Sequence, residues 1–165
     1  MNNIILIGLR GSGKTKLGKL LAEKLEKNFL DLDEEIEITA GKKIKEIVEE
    51  NGWDHFRALE KSLIANLTSQ NTIIATGGGA ILDPENITKL KSLGKIIYLH
   101  CSPEICAERI KEDENRPSLG KTMQELYEKR HPLYSDCADF TFERSDNLEE
   151  DAHQLSRHWL RNLRP

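Results

Sequence analysis

The chain has 165 residues, 38% of them apolar and 32% charged, with a formal net charge of −4. One domain of that size buries roughly two-thirds of its unfolded surface. An acidic chain without a basic block excludes a general nucleic-acid surface, and no apolar stretch approaches the roughly 18 residues of a membrane span.

Met1-Asn2-Asn3 leads straight into an apolar run with no basic leader, so no signal peptide is expected. Ile4 to Gly8 reads as a strand and Lys14 to Lys27 as a helix with Leu17, Leu20, Leu21 and Leu25 on one face. Phe29 to Asp31 is a short strand, followed by helical patterns from about Glu34 and from Lys43 to Glu50. Phe56, Leu59, Leu63 and Leu67 recur at helical spacing within a helix over about Asp54 to Ser69. Thr72 to Thr76 is a strand, Pro84 to Leu93 a helix, Lys95 to Leu99 a strand, and Pro103 opens a helix to about Lys111. A polar loop, Asp113 to Lys121, precedes a helix over Met123 to Tyr134 and a strand over Asp139 to Phe142. The last helix carries Leu148, Ala152, Leu155, Trp159 and Leu163 as a core stripe. Five strands alternating with helices predict a three-layer α/β/α domain around a parallel sheet. Cys101, Cys106 and Cys137 form an odd set without a CxxC pair, which predicts buried thiols and a reduced, cytoplasmic setting. The five histidines show no metal-ligand spacing, and Lys42, Lys43 and Lys45 read as a solvated face.

Four stretches carry chemistry. Gly8-Leu9-Arg10-Gly11-Ser12-Gly13-Lys14-Thr15 matches G-x-x-x-x-G-K-[ST] between a strand and a helix, where that pattern forms a phosphate-binding loop. Its backbone N–H groups and helix dipole favour phosphate, Lys14 can bridge the β- and γ-phosphates, and the Thr15 hydroxyl can meet Mg²⁺. Asp31 and Asp33 stand two apart at a strand end, so alternation points both into one crevice; a helix cap would account for Asp33 but not Asp31. Arg57 and Glu60 are neighbours on a helix, which by itself reads as a surface ion pair. Gly77-Gly78-Gly79 ends a buried strand at a high cost in backbone entropy, so something must approach that backbone closely; a plain turn would need one glycine.

A GxxGxGKT loop, a D-x-D strand end, an F-R-x-x-E helix and a T-G-G-G strand end, in that order, resemble the shikimate kinase family over nearly the whole chain. Asn115-Arg116-Pro117 and the stretch from Lys129 and Arg130 to Tyr134 agree with it. The resemblance implies a P-loop kinase fold with strand order 2-3-1-4-5, one domain over residues 1–165, substrate-binding helices over about 33–61 and a lid over about 112–122. It also implies ATP-dependent phosphorylation of the 3-hydroxyl of shikimate, toward chorismate and the aromatic amino acids, by a monomer using Mg²⁺. Lys14, Asp33 and Arg116 would be catalytic. Gly11, Ser12, Gly13, Lys14, Thr15, Lys16, Arg109 and Arg116 would bind ATP, and Thr15 and Asp31 would hold the metal. Asp33, Arg57, Gly77, Gly78, Gly79 and Arg130 would bind shikimate, the arginines on its carboxylate. An adenine-contacting loop is expected around residues 144–147, and Trp53 and Ser118 depart from the usual pattern. The rivals are a gluconate-kinase-like enzyme, which should not combine all these signals, and a non-catalytic relative, which should have lost Lys14, an aspartate or Arg116.

Overall fold

The run Asn3-Ile-Ile-Leu-Ile7 becomes β1 (Asn3–Ile7), buried along its whole length, as expected of a strand flanked on both edges and covered on both faces. The computed structural model describes residues 2–111, 117 and 119–163. Beside β1 lie β2 (Asn28–Asp31), β3 (Thr72–Ala75), β4 (Gly94–His100) and β5 (Phe140–Glu143), all parallel, in the order β2-β3-β1-β4-β5. This is the sheet that the sequence leads one to expect.

Alternation along β1 divides the core. Ile4 and Leu6 join Leu17 and Leu21 of α1 (Lys14–Leu25), Leu155 of α7 (Leu148–His158), and Trp159 in the π-helical turn that follows. Ile5 and Ile7 face the other layer, with Ile64 of α3 (Ile44–Ala65), Leu90 of α4 (Pro84–Leu93) and Tyr134 of α6 (Met123–Cys137). A small third cluster of Ile36, Ile47 and Phe56 joins α2 (Leu32–Ala40) to α3. α5 (Pro103–Ile110) follows β4. Chain order reverses on either side of β1, which opens a crevice at the C-terminal ends of the strands.

Three boundaries differ from the sequence reading in ways that matter. β2 ends at Asp31 and α2 begins at Leu32, so Asp33 lies in the first turn of a helix and not on a strand. The two helical patterns on either side of Gly52 are separated, as read, by non-helical backbone at that residue (φ 82°, ψ 170°), but the second ends at Ala65, short of Ser69. α6 continues past Tyr134 to Cys137. The three cysteines are free and buried, and among the described residues no helix is long and apolar enough to cross a membrane. Arg116, Ser118 and most of the expected lid lie outside the described residues; Pro117 and Leu119 lie within them.

Candidate active site

The loop leaving β1 turns at Gly11 (φ 81°) and Gly13 (φ 87°), where any side chain would be strained. Ser12 is fully buried, and its N–H donates to Leu9 O (3.1 Å). Lys14 opens α1 but curls back, its Nζ donating to Gly8 O (2.7 Å) and Leu9 O (2.8 Å). A buried ammonium thus adds its charge to the positive end of α1. Thr15 Oγ1 donates to Asp31 Oδ2 (2.5 Å), while Asp31 Oδ1 accepts from the N–H groups of Asp33 (3.0 Å) and Glu34 (3.3 Å). Asp31 is therefore the cap of α2, and helix capping, not strand alternation, places the two aspartates. Lys16 is exposed on the rim of the same cleft. Arg109 Nη1 donates to Gly11 O (3.3 Å), so this arginine lies against the loop and is more than a solvated helix charge.

Thr15 and Asp31 present two adjacent oxygen donors, the hard kind that Mg²⁺ prefers. No group of three or more His, Cys, Asp or Glu side chains able to hold a metal occurs among the described residues. One or two protein oxygens, completed by water and phosphate, is the usual complement for Mg²⁺ carried on a nucleotide, so these residues fit that ion.

The acceptor side converges on the glycine triplet. A methyl group on Gly77 would lie 2.6 Å from Glu60 Oε1 and 2.9 Å from Asp33 Oδ1. One on Gly79 would overlap the Arg57 guanidinium, and one on Gly78 would lie 3.5 Å from Arg130 Nη1. The bare backbone thus lets two carboxylates and two guanidinium groups crowd around one strand end. Arg57 Nη1 donates to Glu60 Oε2 (2.7 Å), and Glu60 is only 1% exposed. The surface ion pair expected from helix spacing alone is instead the floor of a cleft. Burial pushes the Glu60 carboxyl above its ordinary range, Arg57 opposes this, Asp33 adds to it and Arg130 opposes it. Arg130 is buried, and its Nε has no hydrogen-bond partner among the described residues. Arg57 Cζ also lies 5.5 Å from the Trp53 ring centroid and 5.3 Å from that of Phe56, so the unusual Trp53 forms part of the wall beside this guanidinium.

Three residues of the cleft had no role in the sequence reading. Glu60 needed its burial to be known, though its place one turn from Arg57 was a hint. Tyr134, one turn beyond Arg130, donates from its hydroxyl to Gly78 O (2.5 Å) and stacks on Tyr98 with ring centroids 5.0 Å apart. Arg10 donates from Nη1 and Nη2 to Pro117 O (3.2 and 3.3 Å), joining the phosphate loop to the segment after Arg116. Its position inside the loop pattern admits any residue, so the pattern could not mark it.

Comparison with known proteins agrees with this geometry. A family model described as shikimate kinase matches residues 10–159. The shikimate kinase of Persephonella marina is 48% identical over 139 residues, covering 82% of this chain and 85% of that one. The shikimate kinase of Caldanaerobacter subterraneus subsp. tengcongensis is 40% identical over 168 residues, covering 98% of each. The structure of shikimate kinase from Acinetobacter baumannii in complex with shikimate superposes with a TM-score of 0.93 at 36% identity, covering 98% of this chain and 94% of that one. Agreement of sequence and fold over almost the full length leads to one assignment: this ATP-dependent kinase belongs to the shikimate kinase family.

Proposed function

We propose that the family reaction, transfer of the γ-phosphoryl group of ATP to the 3-hydroxyl of shikimate on the route to chorismate, runs here through the residues gathered at the C-terminal edge of the sheet. The backbone from Gly11 to Lys16 holds the phosphates, Lys14 bridges the β- and γ-groups, and Arg109 lies against the adenine. Arg57 and Arg130 clamp the shikimate carboxylate; Glu60 holds one edge of Arg57 and leaves the rest of its fork for the ligand. Gly77, Gly78 and Gly79 let the sugar-like ring approach the backbone. Asp33 accepts a hydrogen bond from the attacking hydroxyl, aligns it and takes its proton. The new O–P bond then forms in line as the bond to the β,γ-bridging oxygen breaks, and ADP leaves. Arg116, in the expected lid, stabilises charge on the moving phosphoryl group. Thr15 and Asp31 would hold Mg²⁺, which when bound neutralises phosphate charge.

The observation that carries this reading is the convergence of Arg57, Arg130 and Asp33 on the glycine triplet beside the phosphate loop. We read residues 1–165 as one catalytic domain, a monomer, and the three free, buried thiols fit a reduced, cytoplasmic setting. A coupled ADP-release assay tests the reading with shikimate, gluconate, nucleoside monophosphates or no acceptor, with and without a chelator. Release that requires both shikimate and Mg²⁺ is the expected result. Release with another acceptor alone would discard the clamp assignment, and ATP binding without turnover would favour the non-catalytic rival.

A further inference from the structure

Arg144, just after β5, carries a buried side chain only partly satisfied by the described residues. Its side chain is 4% exposed, and its Nε lies 3.4 Å from Asp151 Oδ2 on α7. That carboxylate is already engaged: it accepts from Ser145 N (3.1 and 3.2 Å) and from Ser145 Oγ (2.7 Å). Neither Nε nor Nη1 of Arg144 has a hydrogen-bond partner among the described residues. A guanidinium cannot shed its proton to escape burial, so unmet donors here are costly. Burial works against its charge, Asp151 favours it, and nearby Arg109 works against it again.

The side chain lies against the phosphate loop. A methyl group on Gly13 would sit 3.3 Å from Arg144 Nη2, 3.5 Å from Cζ and 3.8 Å from Nη1. Arg144 also borders the cleft lined by Gly11, Lys14, Thr15 and Arg109. Arg144, Arg109 and the buried Lys14 ammonium thus border one cleft, which Asp31, Asp33 and Asp146 also line, and the unmet donors of Arg144 leave a place for an anion among these three cations. Phosphate oxygens match the geometry of a guanidinium fork.

We infer that Arg144 binds the phosphate chain of the nucleotide, as a buried cation beside Lys14 and behind Gly13. The inference rests on the nucleotide-site reading above. A merely structural arginine, tying the loop to α7, would support stability and leave ligand affinity alone.

The test is calorimetry on the full chain with Mg-ATP and with inorganic tripolyphosphate, using Arg144→Met, Arg144→Lys and Asp151→Asn, alongside melting temperatures and steady-state kinetics. Arg144→Met should weaken both ligands about tenfold or more, the usual loss for hydrogen bonds to a charged group. It should raise the KM for ATP without changing the KM for shikimate, and Arg144→Lys should restore part of the affinity. Asp151→Asn should lower the melting temperature while keeping most of the tripolyphosphate affinity. If Arg144→Met does not fold, Arg144→Gln, which keeps a planar donor without the charge, carries the same test. Wild-type affinity for both ligands in the variant, whatever its melting temperature, would overturn the inference. So would loss of ATP affinity with tripolyphosphate binding intact, since the arginine would then act on the nucleoside. A wild-type protein that binds neither ligand would remove the nucleotide-site reading and this inference together.

Discussion

The two halves of the cleft are built in opposite ways. The proposed phosphate side comes from one contiguous stretch, Gly8 to Lys16, which brings together successive backbone N–H groups, two left-handed glycines and a helix N-terminus. The acceptor side is assembled from residues far apart in sequence: Asp33 on α2, Arg57 and Glu60 on α3, the triplet after β3, and Arg130 and Tyr134 on α6. A contiguous loop can form its site from local conformation alone. A convergent site depends on the packing of each helix, so a small error in any one moves a reacting group. Substitutions on the acceptor side should therefore change shikimate handling while leaving ATP binding in place.

The largest expected effect is at Asp33. Asp33→Asn should lower kcat by about 10²- to 10⁴-fold, the range for a lost general base, with ATP affinity unchanged by calorimetry. Arg57→Ala comes next and should weaken shikimate about 10- to 100-fold with little effect on ATP. Unaltered shikimate affinity in the folded variant would falsify the clamp. Gly79→Ala sharpens the comparison, because its methyl group must displace the Arg57 guanidinium. A loss of about tenfold in shikimate affinity is expected, and it should not add to the loss in an Arg57→Ala background.

Glu60 gives a pH-dependent effect. Its folded-state pKa lies above the ordinary 4.5, so the native state holds the proton more tightly than the unfolded chain. The associated stability is full below about pH 4.5 and is lost as pH rises through the folded value. The melting temperature of Glu60→Gln, relative to wild type, should therefore rise from pH 4 to pH 7; a pH-independent difference would show that the carboxyl is not strained by burial. The smallest effect is expected at Lys42, whose ion pair with Glu50 is solvent-exposed. Lys42→Ala should shift neither melting temperature nor KM measurably.

Much of this was legible in the sequence because it depends on local rules. Apolar runs between amphipathic helices called for a parallel α/β sheet, and the glycine-rich loop called for phosphate, each from short-range periodicity and backbone sterics. The order of motifs led to the shikimate kinase family. The glycine triplet raised the right question, why a strand should end in bare backbone. The answer is that Asp33, Arg57, Glu60 and Arg130 press against it, and it required knowing where three helices pass. Strand alternation was the wrong geometry for Asp31 and Asp33, since one-residue shifts in element boundaries lie beyond periodicity and the cap decided the orientation of Asp31.

The sequence by itself determined the elements, their layering and the nucleotide loop, because propensity, patterning and turn chemistry act between neighbours along the chain. Only tertiary structure decided that Glu60 is buried under Arg57, that Tyr134 holds Gly78, and that Arg144 lies beside Gly13 with two nitrogens lacking hydrogen-bond partners among the described residues. Those features depend on desolvation and on distances between residues remote in sequence. Neither is set until the helices have packed on the sheet.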